Sequence, residues 1–239
     1  MITQSHSPLL EIDYNIHKSN STYFSDLDVS RSHLVSYLCR PALRKLSYNN
    51  KTKVAVDPNG KVVDGSLGIM LGAAHCSFKK EIPGYKAYDM WSSVLSWDRK
   101  WMYIVTHFVE KGVRPTEWLD PKWKGVRTRI AGRGGDWEKK VYASAISKYV
   151  FKVGRFTVHP SIVLEESGLL PPRPGGWRSG EDETGSATPL EESPEGNEWD
   201  WTRVERQRRK GMEMAKHFAD LDELQSIFDG GEAGVIGTF

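Results

Sequence analysis

The chain has 239 residues, 33 of them Lys or Arg against 31 Asp or Glu, for a net charge of +2. That length buries a sizeable core and holds one ordinary domain with appendages, while so mild a charge lacks the basic excess of a nucleic-acid partner. Cys39 and Cys76 lie far apart with no CxxC or Cys/His spacing, so neither a disulfide framework nor a zinc site is indicated, and a reducing compartment is expected.

Met1 to Leu10 has no basic and apolar regions of a signal peptide, and no apolar run approaches the ~20 residues of a membrane span, so a cytoplasmic protein is expected. Leu9 to Tyr14 reads as a short strand. Ser19, Asn20, Ser21 and Thr22 are candidate N-caps of a helix whose apolar residues Tyr23, Phe24, Leu27, Leu34, Val35 and Leu38 recur near i, i+3, i+4. Asp26 and Asp28 suit the positive end of its dipole, and Pro41 is the expected stop. Residues 47–64, with Asn49-Asn50 and Asp57-Pro58-Asn59-Gly60, read as an irregular excursion or a small hairpin.

Strand patterns follow over Leu67–Phe78, Ala87–Trp97 and Trp101–Val109, the last two forming a hairpin around Asp98-Arg99-Lys100. Residues 113–139 carry Trp118, Trp123 and Trp137 among basic residues and read as an insertion or lid. Gly132-Arg133-Gly134-Gly135 marks a turn there, because it lacks the Lys-Ser/Thr of a phosphate loop. Val141–Val158 has room for a long strand bent at Gly154.

Pro171–Asp200 has the Pro, Gly, Ser and Glu content of a disordered linker, and a final helix is expected over Trp201–Phe228, with Met214, Phe218, Leu221, Leu224 and Phe228 on its apolar side. The expected organisation is a domain over 1–170, a linker over 171–200 and a helix with tail over 201–239. One long helix followed by antiparallel strands is an α+β order in which the helix covers a sheet face.

The run Asp13-Tyr14-Asn15-Ile16-His17-Lys18-Ser19-Asn20-Ser21-Thr22-Tyr23-Phe24 puts a carboxylate, an imidazole and an amide just before that helix. Its spacing Asp-x-x-x-His-x-x-Asn-x-x-Tyr resembles the start of the central helix in hotdog-fold thioesterases. Ser96–Tyr103 looks like the hairpin of the 4-hydroxybenzoyl-CoA thioesterase-like branch, and Phe151–Pro160 looks like its last strand. With Asp26-Leu27-Asp28-Val29-Ser30-Arg31, the motif resembles in particular the thioesterase-like proteins that accompany polyketide and lipopeptide gene clusters in filamentous fungi. Commoner hotdog thioesterases carry an apolar residue and an Asn where this chain has Lys18 and Ser19.

The resemblance implies a hotdog fold, a homodimer and an acyl-thioesterase acting on an acyl-CoA or acyl-carrier-protein thioester. It makes Asp13 the catalytic carboxylate, as general base or, alternatively, as nucleophile. His17 then orients the water or Asp13, or donates to the thioester oxygen, and Asn20 holds the helix start or the carbonyl. Backbone donors near Asn20 to Tyr23 are candidates for the developing oxyanion. Desolvation in an acyl tunnel raises the pKa of a carboxyl, whereas backbone donors lower it, and the residues leave both open for Asp13.

Ser21, Thr22, Tyr23, Phe24 and Leu27 are candidate substrate-binding residues, with plain helix core as the competing view of the apolar ones. Lys122, Lys124, Arg127, Arg129 and Arg133 are candidates for contacts to CoA phosphates or an acidic carrier protein, against a solvated loop. Arg31 and His33 are expected at solvent or a dimer interface. His75 and Cys76 point to opposite strand faces and form no nucleophile pair, His107 is expected to be structural, and no metal or cofactor is expected. A non-hydrolytic protein that binds a polyketide or lipid intermediate and guides its cyclisation, dehydration or release is the alternative function. A partner-binding module built on the linker and terminal helix is a third.

Overall fold

The computed structural model describes residues 1–113, 117–119, 127–129, 137–178 and 200–226. In chain order these form β1 (Ile2–His6), α1 (Asn20–Lys45), α2 (Asn49–Thr52), β2 (Leu67–Phe78), β3 (Ala87–Trp97), β4 (Trp101–Glu110), β5 (Glu117–Leu119) and β6 (Arg127–Arg129). β7 (Val141–Val153), β8 (Phe156–Val158), α3 (Pro160–Glu166) and α4 (Trp201–Ala219) complete the chain. The main sheet is antiparallel in the order β1-β3-β4-β7-β2, with β8 paired onto β7, while β5 and β6 make a separate two-stranded ribbon.

α1 lies across one face of that sheet because Tyr23, Leu27, Ser30, Arg31, Leu34, Val35, Cys39 and Ala42 share its buried side. It does not stop at Pro41. The proline sits on the exposed side, and buried Ala42 and Leu46 hold the last turn against the core, so packing outweighs the missing N–H.

Two apolar clusters lie beneath α1. Tyr23 and Leu27 pack with Ile82, Tyr88, Met90 and Phe108 under its first half, and Leu34, Val35, Cys39 and Ala42 pack with Trp97, Phe151 and Val163 under its second. A polar belt runs between them. Thr3, Ser30, Ser92 and Thr106 form a chain of hydroxyl bonds of 2.7–3.0 Å from β1 across to β4, and Arg31 donates to Ser147 on β7 at 2.6 Å. Arg31 is therefore buried, contrary to the expected solvent or interface position, because β7 offers it a hydroxyl and Asp28 offers it a carboxylate.

Several local expectations are corrected. Leu9–Tyr14 is not a strand: Pro8 cannot extend a ladder, Leu9–Glu11 forms a 3₁₀ turn, and Leu10 is 96% exposed. The strand lies earlier, at Ile2–His6, paired with β3. Val141–Val158 reverses at Gly154-Arg155 instead of bending, with Gly154 at φ +57°, so that β8 folds back onto β7. The 47–64 excursion opens with a short helix and then makes the expected small hairpin, bridged at Val56 and Val62 and stapled by buried Asn49, whose amide bonds Ala55 and Val63 at 2.7–2.9 Å.

The expected linker begins as packed structure. Trp177 is 2% exposed, lies 5.9 Å from Trp97 ring to ring, and donates to the Pro171 carbonyl at 2.8 Å. Residues 179–199 of that stretch lie outside the described residues. α4 ends at Ala219 and continues as a 3₁₀ segment over Asp220–Ser226. Its inward face is Val204, Gly211, Ala215 and Phe218, whereas Met214, Leu221 and Leu224 are exposed. The difference arises because α4 meets the sheet through its small residues: a methyl at Gly211 would stand 2.3 Å from the Leu95 carbonyl oxygen. Buried Glu205 secures the helix through Arg173, Arg208 and Arg209. These arginines hold its carboxyl below the ordinary carboxylate range even though burial opposes them.

Candidate active site

The Asp13–His17 segment is a tight turn at the foot of α1. Ile12 bridges Lys18, the Asp13 N–H donates to the His17 carbonyl at 2.9 Å, and the Ile16 N–H donates to the Asp13 carbonyl at 3.0 Å. The Asn15 N–H donates to Asp13 Oδ1 at 2.9 Å, the side-chain-to-backbone turn that Asp favours. One carboxylate oxygen of Asp13 thus stabilises the turn. The half-buried side chain keeps a second oxygen for other work.

His17 is also half-buried, and its Nε2 lies 3.2 Å from Glu81 Oε2. Glu81 reaches it because the segment after β2 runs beside the turn: His17 bridges Pro83, and the Lys18 N–H donates to the Ile82 carbonyl at 2.8 Å. Glu81 stands outside the Asp13–Phe24 motif. No local spacing could have found it, since it lies 64 residues beyond His17 in sequence.

α1 begins at Asn20 with Ser19 as N-cap, and the Ser19 side chain makes no capping bond. The Ser19 hydroxyl pairs with that of Ser21 at 3.0 Å, and the Ser19 carbonyl receives both the N–H of Thr22 at 3.0 Å and its hydroxyl at 2.7 Å. Asn20 and Ser21 are exposed. The first N–H groups of a helix have no intrahelical acceptor, and they carry the positive end of the dipole. A half-buried carboxylate thus lies in the same short segment as a helix start whose N-cap side chain makes no capping bond.

The other candidates separate. Phe24 is 38% exposed and Thr22 half-buried, whereas Tyr23 at 1% and Leu27 at 0% are packed into the core, with Tyr23 edge-on to Phe78 at 5.1 Å. Burial pushes the Tyr23 phenol upward and raises the nearby Cys76 thiol to about 11, so Cys76 is not a thiolate nucleophile at neutral pH. His107 bonds the Ser144 hydroxyl through Nδ1 at 2.8 Å and faces Trp137. Arg127 and Arg129 stand on β6 opposite Leu119 and Glu117, while Lys122, Lys124 and Arg133 lie outside the described residues. Among the described residues no group of His, Cys, Asp and Glu could hold a metal ion, and no helix is long and apolar enough to cross a membrane.

A cavity of about 420 Å³ opens elsewhere, lined by Leu34, Leu38, Val94, Trp97, Leu164 and Val204 under the second half of α1. None of Asp13, His17 and Asn20 lines it. The Asp13–His17 turn and this cavity are thus distinct places among the described residues.

The chain is similar to the thioesterase poxG of Penicillium oxalicum, 37% identical over all of this chain and 75% of that protein. It is similar to the probable thioesterase atnL of Emericella nidulans, at 36% over all of this chain and 73% of that protein. The probable thioesterase YBR096W of Saccharomyces cerevisiae is 30% identical over 66% of this chain and 51% of its own length. Residues 8–121, which hold the Asp13–His17 turn, α1 and the β3–β4 hairpin, match the thioesterase-like superfamily. With a helix laid across an antiparallel sheet and a carboxylate turn at its foot, the chain belongs to the thioesterase-like superfamily and has its hotdog fold.

Proposed function

We propose that this protein is an acyl-thioesterase that hydrolyses an acyl or polyketide thioester carried on CoA or on an acyl-carrier protein in secondary metabolism. What carries the reading is the bonded Asp13–His17 turn beside the first turn of α1, whose N-cap side chain makes no capping bond, in a chain 37% identical to a thioesterase. Asp13 takes a proton from water, the water oxygen attacks the thioester carbon, and the carbonyl oxygen gathers negative charge at the Asn20–Ser21 end of the helix. Collapse of that intermediate breaks the carbon–sulfur bond. The acid is released, and the thiolate leaves with the proton returned by Asp13. His17, held by Glu81, orients the water, and Asn20 steadies the carbonyl.

Ser21, Thr22 and Phe24 face the acyl group at the exposed helix start, and Lys122, Lys124, Arg127, Arg129 and Arg133 supply positive charge for carrier phosphates or acidic side chains. The protein works as a homodimer. The outer edge of β2 carries a 12-residue ladder with no strand beside it among the described residues, and Met70, Leu71 and Phe78 are 41–48% exposed along it. Such an edge invites pairing with a second copy.

The test is thiol release from short, medium, long and aromatic acyl-CoA thioesters, followed with a chromogenic thiol reagent in wild type and Asp13→Asn. The expected outcome is turnover that drops by ~10²–10⁴-fold in a folded Asp13→Asn protein. Ligand affinity that survives this substitution, with no thiol released by the wild type from CoA or carrier-bound substrates, would instead establish the non-hydrolytic binding function.

A further inference from the structure

Lys18 follows His17 directly, yet its side chain is 0% exposed. Burying an ammonium is strongly unfavourable unless the charge is paired and its hydrogen bonds are met. Here it meets two carboxylates from opposite sides of the motif. Nζ bonds Glu11 Oε2, on the 3₁₀ turn before Asp13, and lies 2.9 Å from Asp26 Oδ2, on α1 after it. The Tyr88 hydroxyl from β3 donates to the same Asp26 oxygen, the Ser5 hydroxyl from β1 donates to the other at 3.4 Å, and Nζ stands 5.5–5.6 Å from the Tyr23 and Tyr88 ring centres. Backbone bonds close the same loop: Ser19 N–H to the Glu11 carbonyl at 2.7 Å and Lys18 N–H to the Ile82 carbonyl at 2.8 Å.

A second observation shows why the loop needs an anchor. Ile16, inside the turn, has φ +64°, a left-handed conformation that a β-branched side chain adopts only under constraint. Ile16 is 74% exposed, so its own burial does not offset the strain. Hydrogen bonds inside the turn and at its two ends supply the constraint, and Lys18 joins the ends.

We propose that Lys18 is a positioning residue: clamped between Glu11 and Asp26, it holds the Asp13–His17 turn in register with the first turn of α1. The catalytic consequence rests on the thioesterase reading of Asp13. The geometric one does not. An apolar side chain could fill the same volume, but it would not tie Glu11 to Asp26.

The test compares the full-length wild type with Lys18→Met, which keeps the side-chain length without the charge, and with Glu11→Gln, which cuts the clamp at a partly exposed carboxylate. Thiol-release kcat and KM are measured together with amide hydrogen exchange resolved by peptide. The expected result for Lys18→Met is a kcat lowered by about 100-fold with KM within about threefold, the size of effect that a misplacement of about 1 Å produces. Exchange should accelerate in peptides covering 11–19 and stay unchanged in β4 and β7. Glu11→Gln should show the same pattern more weakly, and it decides the matter if Lys18→Met does not fold. Unchanged kcat and unchanged exchange at 11–19 in Glu11→Gln, or acceleration spread evenly over the whole chain, would overturn the proposal. If the wild type releases no thiol from any substrate, the hydrolytic reading fails on its own, and the exchange pattern still decides whether Lys18 is the clamp.

Discussion

The two halves of α1 are held by different physics. Around its first half a smaller apolar cluster centred on Tyr23 and Leu27 is joined by directed bonds that hold the turn below: Lys18 to Glu11 and Asp26, Tyr88 to Asp26, His17 to Glu81. Its second half instead rests on a large apolar cluster shared with α3 and with the start of α4, where Leu34, Cys39, Phe151, Val163 and Val204 are all at most 5% exposed. Burial of area is non-directional and tolerates small shifts, whereas an ion pair between three elements sets their spacing. The lesson is a difference along one helix: the far end rests on the larger apolar cluster, and the near end adds directed bonds to a smaller one, with the Ser30–Ser92–Thr106 belt between them.

Substitutions can test that difference. The largest expected effect on stability is Leu34→Ala, which opens a cavity in the far cluster and should lower the unfolding free energy by roughly 2–5 kcal/mol in a denaturant titration. At a temperature where the variant stays folded, its kcat should match wild type. A kcat that falls in proportion to stability would show that the two halves are not separable.

Gly211→Ala comes next. Its new methyl would meet the Leu95 carbonyl on β3, so α4 must shift, at a cost of about 1–3 kcal/mol read from the same titration. Because α4 packs away from the Asp13–His17 turn, an unchanged KM would sharpen the comparison.

The smallest expected effect is acid sensitivity through His107, which belongs to neither half. Burial, and secondarily Lys79, lowers its pKa below the ordinary 6.5. The unfolded chain therefore binds a proton near pH 6.5 that the folded chain refuses, so stability present above that pH declines as pH falls through it. Glu205, whose pKa is lowered from 4.5, adds a loss in the same direction at lower pH. Melting curves at pH 7.5 and 5.5 should differ less in His107→Gln than in wild type. An equal difference in both would place the acid response elsewhere.

Legibility in the sequence followed the range of the forces. The β3–β4 hairpin was readable because Asp98 makes its own turn, accepting from the N–H groups of Lys100 at 2.7 Å and Trp101 at 2.6 Å. β2 matched its apolar run, and α1 matched its 3.6 periodicity through Tyr23, Leu27 and Leu34. β1 was missed because Ile-Thr-Gln-Ser-His has little pattern of its own, and its strand character comes from pairing with β3. Trp177 reads as linker because its neighbours are Pro, Gly and Arg, whereas its contact with Trp97, its bond to the Pro171 carbonyl and Arg173 over its ring pack the segment. In the motif, the spacing Asp13–His17–Asn20 was visible, but the clamp and Glu81 were not.

The sequence by itself determined what depends on neighbours in the chain: the helix start after Ser19, the hairpin at Asp98, the polar motif ahead of α1 and the family it resembles. Only the tertiary structure decided that Lys18 is buried between Glu11 and Asp26, that Glu81 faces His17, that Pro41 stays inside α1 and that α4 docks through Gly211. Periodicity and turn chemistry act over a few residues and are written in their order. The partner of a charge, and the surface that covers a strand or a helix, are set by which distant segments the folded core brings together.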